Sequence, residues 1–246
     1  MGDFTGTYDF GSIQRHNEIN AMNTLEQKRH FDAIIERIER ARIRVSEHHI
    51  VKIVAASKYV DADAIADLYS IGQRAFGENK VQDLIKKADL LEEFPLEWHF
   101  IGTLQKNKIN QLLAVRPYMI HSIDSLELAH ALQERLSREN QTLRALVQVN
   151  SAYEESKSGF LPEEFIEKYA QIKEQCPSLH LQGIMSIGAH TDDHNVVKKS
   201  FETTRSLFEQ LPNATTCSMG MSSDFELAIQ CGSNLVRLGS ILFKHE

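Results

Sequence analysis

From residue 51 onward, a short run of β-branched or aromatic residues is followed again and again by a stretch with helical spacing. This alternation constrains the chain more than any other feature, because strand-helix-strand repeats with buried strands are the signature of parallel βαβ units. Strands are expected at 51–56, 74–76, 98–101, 118–122, 143–149, 181–187, 215–219 and 234–238. Helices are expected at 62–71, 80–91, 106–114, 125–138, 162–175, 196–210 and 224–230. Several helix starts carry their own chemistry: Asp124 with Glu127 and Ser223 with Glu226 have capping spacing, and Pro162 suits a first helical position.

Eight strands with intervening helices predict an α/β fold, a single (β/α)8 TIM-type barrel. A length of 246 residues matches that architecture and does not demand a second core. Thr24 and Gln27 have capping-box spacing, and Phe31, Ile34, Ile35, Ile38 and Ile43 recur helically. An N-terminal helix to about residue 47 is therefore expected to precede the barrel and to cover the place of a helix after strand eight. Residues 1–22 are polar, include three glycines and lack a period, so they read as a poorly ordered extension, leaving 23–246 as the barrel. The competing architecture is an open doubly wound sheet, but the residues after the first strand are Ser57-Lys58-Tyr59-Val60 and not a glycine-rich dinucleotide turn.

A net charge of −7 argues against nucleic acid or an anionic membrane as partner. Three cysteines without a CxxC pair offer neither a disulfide framework nor a cysteine zinc site. No secretory signal or spanning run is visible, so a cytoplasmic protein is expected.

In a barrel of this kind, chemistry gathers where strands end. Lys58 follows strand one directly; it reads either as a solvated loop lysine or as a Schiff-base lysine. Strand seven runs into Ser218-Met219-Gly220-Met221-Ser222-Ser223 and strand eight ends Arg237-Leu238-Gly239-Ser240. Small residues and hydroxyls there suit a phosphate, at the place where such barrels recurrently hold one; Ser223 itself reads as a helix cap. A lysine facing a phosphate cradle across the mouth is the arrangement expected for pyridoxal 5′-phosphate bound as an internal aldimine.

The motifs Val54-Ala55-Ala56-Ser57-Lys58, Phe76-Gly77-Glu78-Asn79, Trp98-His99-Phe100-Ile101-Gly102 with Leu104-Gln105-Lys106-Asn107-Lys108, and Ser218 to Ser222 with Asp224 resemble the pyridoxal phosphate homeostasis protein family. So do Val149-Asn150 with Glu155 to Phe160, and Gly232-Ser233 with Val236 to Ser240. The resemblance spans residues 24–243. It implies a barrel related to the N-terminal domain of alanine racemase, with the cofactor on Lys58 and a role as carrier or regulator of vitamin B6 and amino-acid pools. No assigned catalytic turnover comes with it. It places Ser218, Ser222, Gly239 and Ser240 near phosphate, Asn79 near the pyridine ring and Arg237 opposite the ring nitrogen. A monomer is expected by the same resemblance, with apo-enzymes as recipients of the cofactor. The chain departs from the family pattern at Tyr59-Val60, Thr103 and Lys244.

The alternative function is an amino-acid racemase of the alanine racemase type, which by resemblance adds a C-terminal β domain and a partner's tyrosine. For Arg237 the alternative is an ion pair within the barrel, with Glu78 as the candidate. His190, Asp192, Asp193 and His194 could ligate a metal, but helix capping by Asp192 or Asp193 is simpler, and no metal is expected. His99 reads as a core or lumen histidine.

Overall fold

The computed structural model describes residues 10–243. The helix α1 (Phe10–Arg42) leads to β1 (Lys52–Ala56), α2 (Ala62–Ser70), β2 (Ala75–Glu78), α3 (Val81–Leu90) and β3 (Glu97–Phe100). A 3-10 turn at Lys106–Lys108 opens α4 (Ile109–Ala114). There follow β4 (Met119–Ile123), α5 (Leu126–Arg138), β5 (Leu143–Val149), α6 (Pro162–Gln175), β6 (Leu179–Ser186) and α7 (His194–Glu209). The chain then forms β7 (Thr216–Ser218), α8 (Phe225–Gln230), β8 (Leu235–Leu238) and α9 (Ser240–Phe243).

All eight strands pair in parallel in chain order, and β8 returns to β1 with Lys52 opposite Leu235 and Val54 opposite Arg237. The fold is the expected closed barrel. Side chains alternate across each strand, so the closed sheet has an outer and an inner face. One set packs outward into a continuous apolar layer beneath the helices, including Ala55, Phe76, Phe100, Ile120, Val147 and Val236. The other turns into the lumen, where Val54, Ala75 and Leu235 form one small cluster and Met119, Leu146 and Met185 another.

The leading helix buries Ile34, Ile38 and Ala41, one stripe at helical spacing. Arg37 makes a bidentate ion pair with Glu226 of α8 at 3.0 and 2.9 Å, and His30 Nε2 reaches the carbonyl of Ile241 in α9 at 2.5 Å. The helix therefore covers the β8 side of the barrel, as expected. It begins at Phe10, so the Thr24–Gln27 spacing lies inside the helix and does not mark its start; residues 1–9 of the expected extension lie outside the described residues, as does Lys244.

Two caps differ from expectation. Ser125, not Asp124, caps α5 by accepting from the Leu128 N–H at 3.2 Å, because its extended backbone places the hydroxyl over the first turn. The N-cap position of α8 is Asp224 and not Ser223. The Asp224 carboxylate instead accepts the Met221 N–H at 2.6 Å and closes the loop after β7. Asp193 caps α7 through Asn195 N–H at 2.8 Å. No helix among the described residues is long and apolar enough to cross a membrane.

Candidate functional site

The site is built around the exit of β1. Ser57 is fully buried, and its backbone N–H donates to the Gly77 carbonyl at 3.0 Å, which extends the β1–β2 pairing past the last residue of β1. Its hydroxyl donates to Glu78 Oε1 at 2.6 Å. Lys87, from α3, donates both to that same carboxylate oxygen at 2.6 Å and to the Ser57 carbonyl at 2.7 Å. Glu78 is wholly buried, the Lys87 side chain is only 10% exposed, and Glu78 Oε2 has no partner among the described residues. A buried ion pair thus grips the residue immediately before Lys58. Sequence reading missed it; the signal was a carboxylate within a buried parallel strand, which needs a cation close by.

Lys58 stands at the mouth, exposed, with Nζ 4.7 Å from the centroid of the Tyr59 ring. Tyr59 is itself 87% exposed. Next along the rim, Asn79 follows β2 and is half-buried. Its backbone is pressed against Gly102: a Cβ on Gly102 would come within 2.2 Å of the Asn79 carbonyl oxygen, so only glycine permits this approach of the β2 and β3 ends.

On the other flank of β1, Ser222 Oγ accepts the N–H groups of Gly239 at 3.1 Å and Ile241 at 3.4 Å. Two backbone donors therefore converge on one oxygen, and the loops after β7 and β8 are joined. A Cβ on Gly239 would lie 3.2 Å from the Ala56 carbonyl oxygen, so the β8 loop lies against the end of β1. Of the expected phosphate residues, Ser222, Gly239 and the exposed Ser240 come together here.

Ser218 is placed differently. It is fully buried in the lumen and its hydroxyl accepts from Arg237 Nη1 at 2.6 Å. Arg237 Nη1 also donates to the Ser218 carbonyl at 3.0 Å and Nη2 to the Ser186 carbonyl at 2.8 Å. The alternative pairing of Arg237 with Glu78 does not occur; Glu78 faces outward to Lys87, and carbonyl dipoles solvate the guanidinium. Burial pulls its pKa down to about 10, with Asp224 opposing, so it stays protonated at neutral pH. Of its five N–H donors three are committed, which leaves two.

His99 is a lumen histidine, fully buried, with Nδ1 2.9 Å from His121 Nε2. No group of side chains that could hold a metal ion occurs among the described residues, and after β6 Asp193 is committed to the cap of α7 while the backbone N–H of His190 donates to Glu154 Oε1 at 2.8 Å. A cavity of about 650 Å³ opens at the other end of the barrel, lined in part by Glu97, Tyr118 and Arg144. It lies at the strand starts, away from Lys58.

The chain matches the family model described as the alanine racemase N-terminal domain over residues 23–246. It is 58% identical over 220 residues to a pyridoxal phosphate homeostasis protein of Helicobacter pylori strain J99, covering 89% of this chain and 99% of that protein. It is 39% identical over 207 residues to the human protein of the same name, covering 78% of this chain and 75% of the relative. The solved structure of PipY from Synechococcus elongatus with PLP bound is similar at a TM-score of 0.73 and 30% identity, covering 85% of this chain and 99% of that one. An alanine racemase of Clostridium difficile shares the fold at a TM-score of 0.65 and 16% identity, and this chain spans 56% of its length.

Proposed function

Since this chain belongs to the pyridoxal phosphate homeostasis protein family, we propose that it binds pyridoxal 5′-phosphate covalently on Lys58 and serves as a cytoplasmic carrier or regulator of vitamin B6 and amino-acid pools. The binding unit is the barrel of residues 23–246. The observation that carries this reading is the junction of three strand ends. The lysine after β1 adjoins a loop pair in which backbone N–H groups of Gly239 and Ile241 already converge on one hydroxyl oxygen, while a buried Arg237 keeps two donors uncommitted.

The residues fit the cofactor's chemistry. Bound pyridoxal phosphate supplies an aldehyde that condenses with amines and a ring that withdraws electrons. Ser222, Ser240 and the Gly239 backbone would hold its phosphate, Asn79 would flank the ring, and Arg237 would donate to the ring nitrogen. An arginine that remains protonated opposes a second positive charge on that nitrogen, which weakens the electron withdrawal that carbanion chemistry needs. This disfavours broad carbanion chemistry and suits a carrier or a restrained racemase. Apo-enzymes that accept the cofactor are the partners of this reading, with the protein acting as a monomer; the net charge of −7 supports no role with nucleic acid or membrane.

Two measurements test the site. Borohydride treatment after addition of pyridoxal phosphate, followed by peptide mass mapping, is expected to place the pyridoxyl group on Lys58; modification of Lys106, Lys108 or Lys157 with Lys58 unmodified would refute the assignment. Ser222→Ala is expected to weaken pyridoxal phosphate by about one to two decades, as for one hydrogen bond to a charged group, and to leave pyridoxal unchanged. Equal loss for both ligands would remove the phosphate from this loop.

A further inference from the structure

The proposed site leaves two buried histidines unused, yet they connect it to the far end of the barrel. His99 of β3 and His121 of β4 are both fully buried. His121 Nδ1 lies 3.4 Å from Ser218 Oγ, the same hydroxyl that accepts from Arg237. His121 Nε2 lies 2.9 Å from His99 Nδ1. His99 Nε2 has no hydrogen-bond partner among the described residues and stands 3.9 Å from Glu97 Oε2, whose carboxylate is paired with Lys52.

The protons in this series can be assigned from one end. Arginine only donates, so Ser218 Oγ receives the Arg237 proton on a lone pair. The hydroxyl's own proton then goes to the acceptor that remains, His121 Nδ1. That makes His121 an Nε2–H tautomer, which donates to His99 Nδ1 and makes His99 an Nε2–H tautomer as well. The final N–H dipole points at Glu97. The opposite order would leave the buried hydroxyl proton without an acceptor and set an imidazole lone pair against a carboxylate, each at a cost. Burial, which pushes both imidazoles away from the charged form, agrees with two neutral rings.

We infer that His121 and His99 are positioning residues for Arg237: a hydrogen-bond chain running one way, Arg237 to Ser218 to His121 to His99, orients the guanidinium toward the ring of the bound cofactor. This rests on the pyridoxal phosphate reading only in its last clause. It also reassigns Ser218 from phosphate contact to the support of Arg237.

Long-range ¹H–¹⁵N histidine spectra of the ligand-free protein test the chain itself. Both rings are expected as neutral Nε2–H tautomers at about pH 7, within the range where free histidine titrates. An Nδ1–H tautomer or an imidazolium at either ring would overturn the inference, whatever the protein binds. His121→Leu is expected to weaken pyridoxal phosphate about threefold to tenfold, the worth of one neutral hydrogen bond, and to shift the absorption band of the bound form. His121→Asn, which offers an acceptor oxygen where Nδ1 stood, is expected to restore both. A folded His121→Leu with unchanged affinity and spectrum would overturn the positioning role. Absence of pyridoxal phosphate binding by the unaltered protein would instead refute the proposed function and leave the tautomer result standing.

Discussion

Between about pH 6.5 and pH 5 the unfolding free energy of this protein should fall by up to about 2.7 kcal/mol per pH unit, through the uptake of two protons on unfolding. His99 and His121 carry the effect. Both are depressed from the ordinary value of 6.5, His99 by burial against the pull of Glu97, and His121 further, by burial, by His99 and by the positive charge of Arg237 and Lys52. In the folded protein they take up protons less readily as the pH falls, whereas in the unfolded chain they become charged below 6.5. The unfolded state therefore binds more protons, and stability is full above pH 6.5 and lost below it. The groups that face the two rings are Arg237, Lys52, Glu97 and Tyr118. Of these Glu97 is held down to about 2 by the His99 N–H and by Lys52, against burial, so it remains ionised throughout this window. Urea unfolding across the window measures the slope. The double variant His99→Gln with His121→Gln should flatten it, and an equal slope in variant and parent would exclude these rings as its source.

Glu78→Ala should cost about 3–5 kcal/mol of stability, because it leaves the Lys87 ammonium buried without a counter-charge. Replacing both partners together, as Glu78→Leu with Lys87→Met, should recover most of that loss, since an apolar pair of similar volume has no charge to desolvate. The contrast distinguishes the ion pair from simple packing: packing loss would make the double variant at least as unstable as the single one. Because the pair also grips Ser57, the double variant should keep most of its stability but bind pyridoxal phosphate more weakly. Urea unfolding and ligand titration on the same samples would separate the two effects. A loss below about 1 kcal/mol in Glu78→Ala, as for an ordinary surface change, would mean that the pair is not effectively buried.

Much of the architecture was legible in the chain. Residues 143–149 and 162–175 read as a strand and a helix with the limits that β5 and α6 have in the structure. Apolar residues at every second position, Leu143, Ala145, Val147 and Val149, and a proline at the first helical turn leave little choice there. Helix starts were less legible where two polar residues adjoin, as at Asp124-Ser125 and Ser223-Asp224, since either side chain can serve as a cap and the backbone angle decides. The site was legible as residue types at strand ends: Lys58 after β1, and Ser222, Gly239 and Ser240 where the loops after β7 and β8 meet.

Side-chain period and turn chemistry act locally, so the order of the eight strands and of the helices between them, and with it the closed parallel barrel, could be read from the chain, while the short helix α9 could not. Which polar groups meet inside the barrel depended on packing in three dimensions. Glu78 meets Lys87 across 9 residues, Arg237 meets Ser218 across 19, and His99 meets His121 across 22. In each pair the partners sit on different elements, and strand register together with the inward or outward turn of each side chain sets their distance. Ser218 shows the consequence. Composition made it a plausible phosphate ligand, but its inward position on β7, beside Arg237 on the neighbouring strand, gives its lone pair to a guanidinium, and a buried hydroxyl with one proton to donate can satisfy only one further partner.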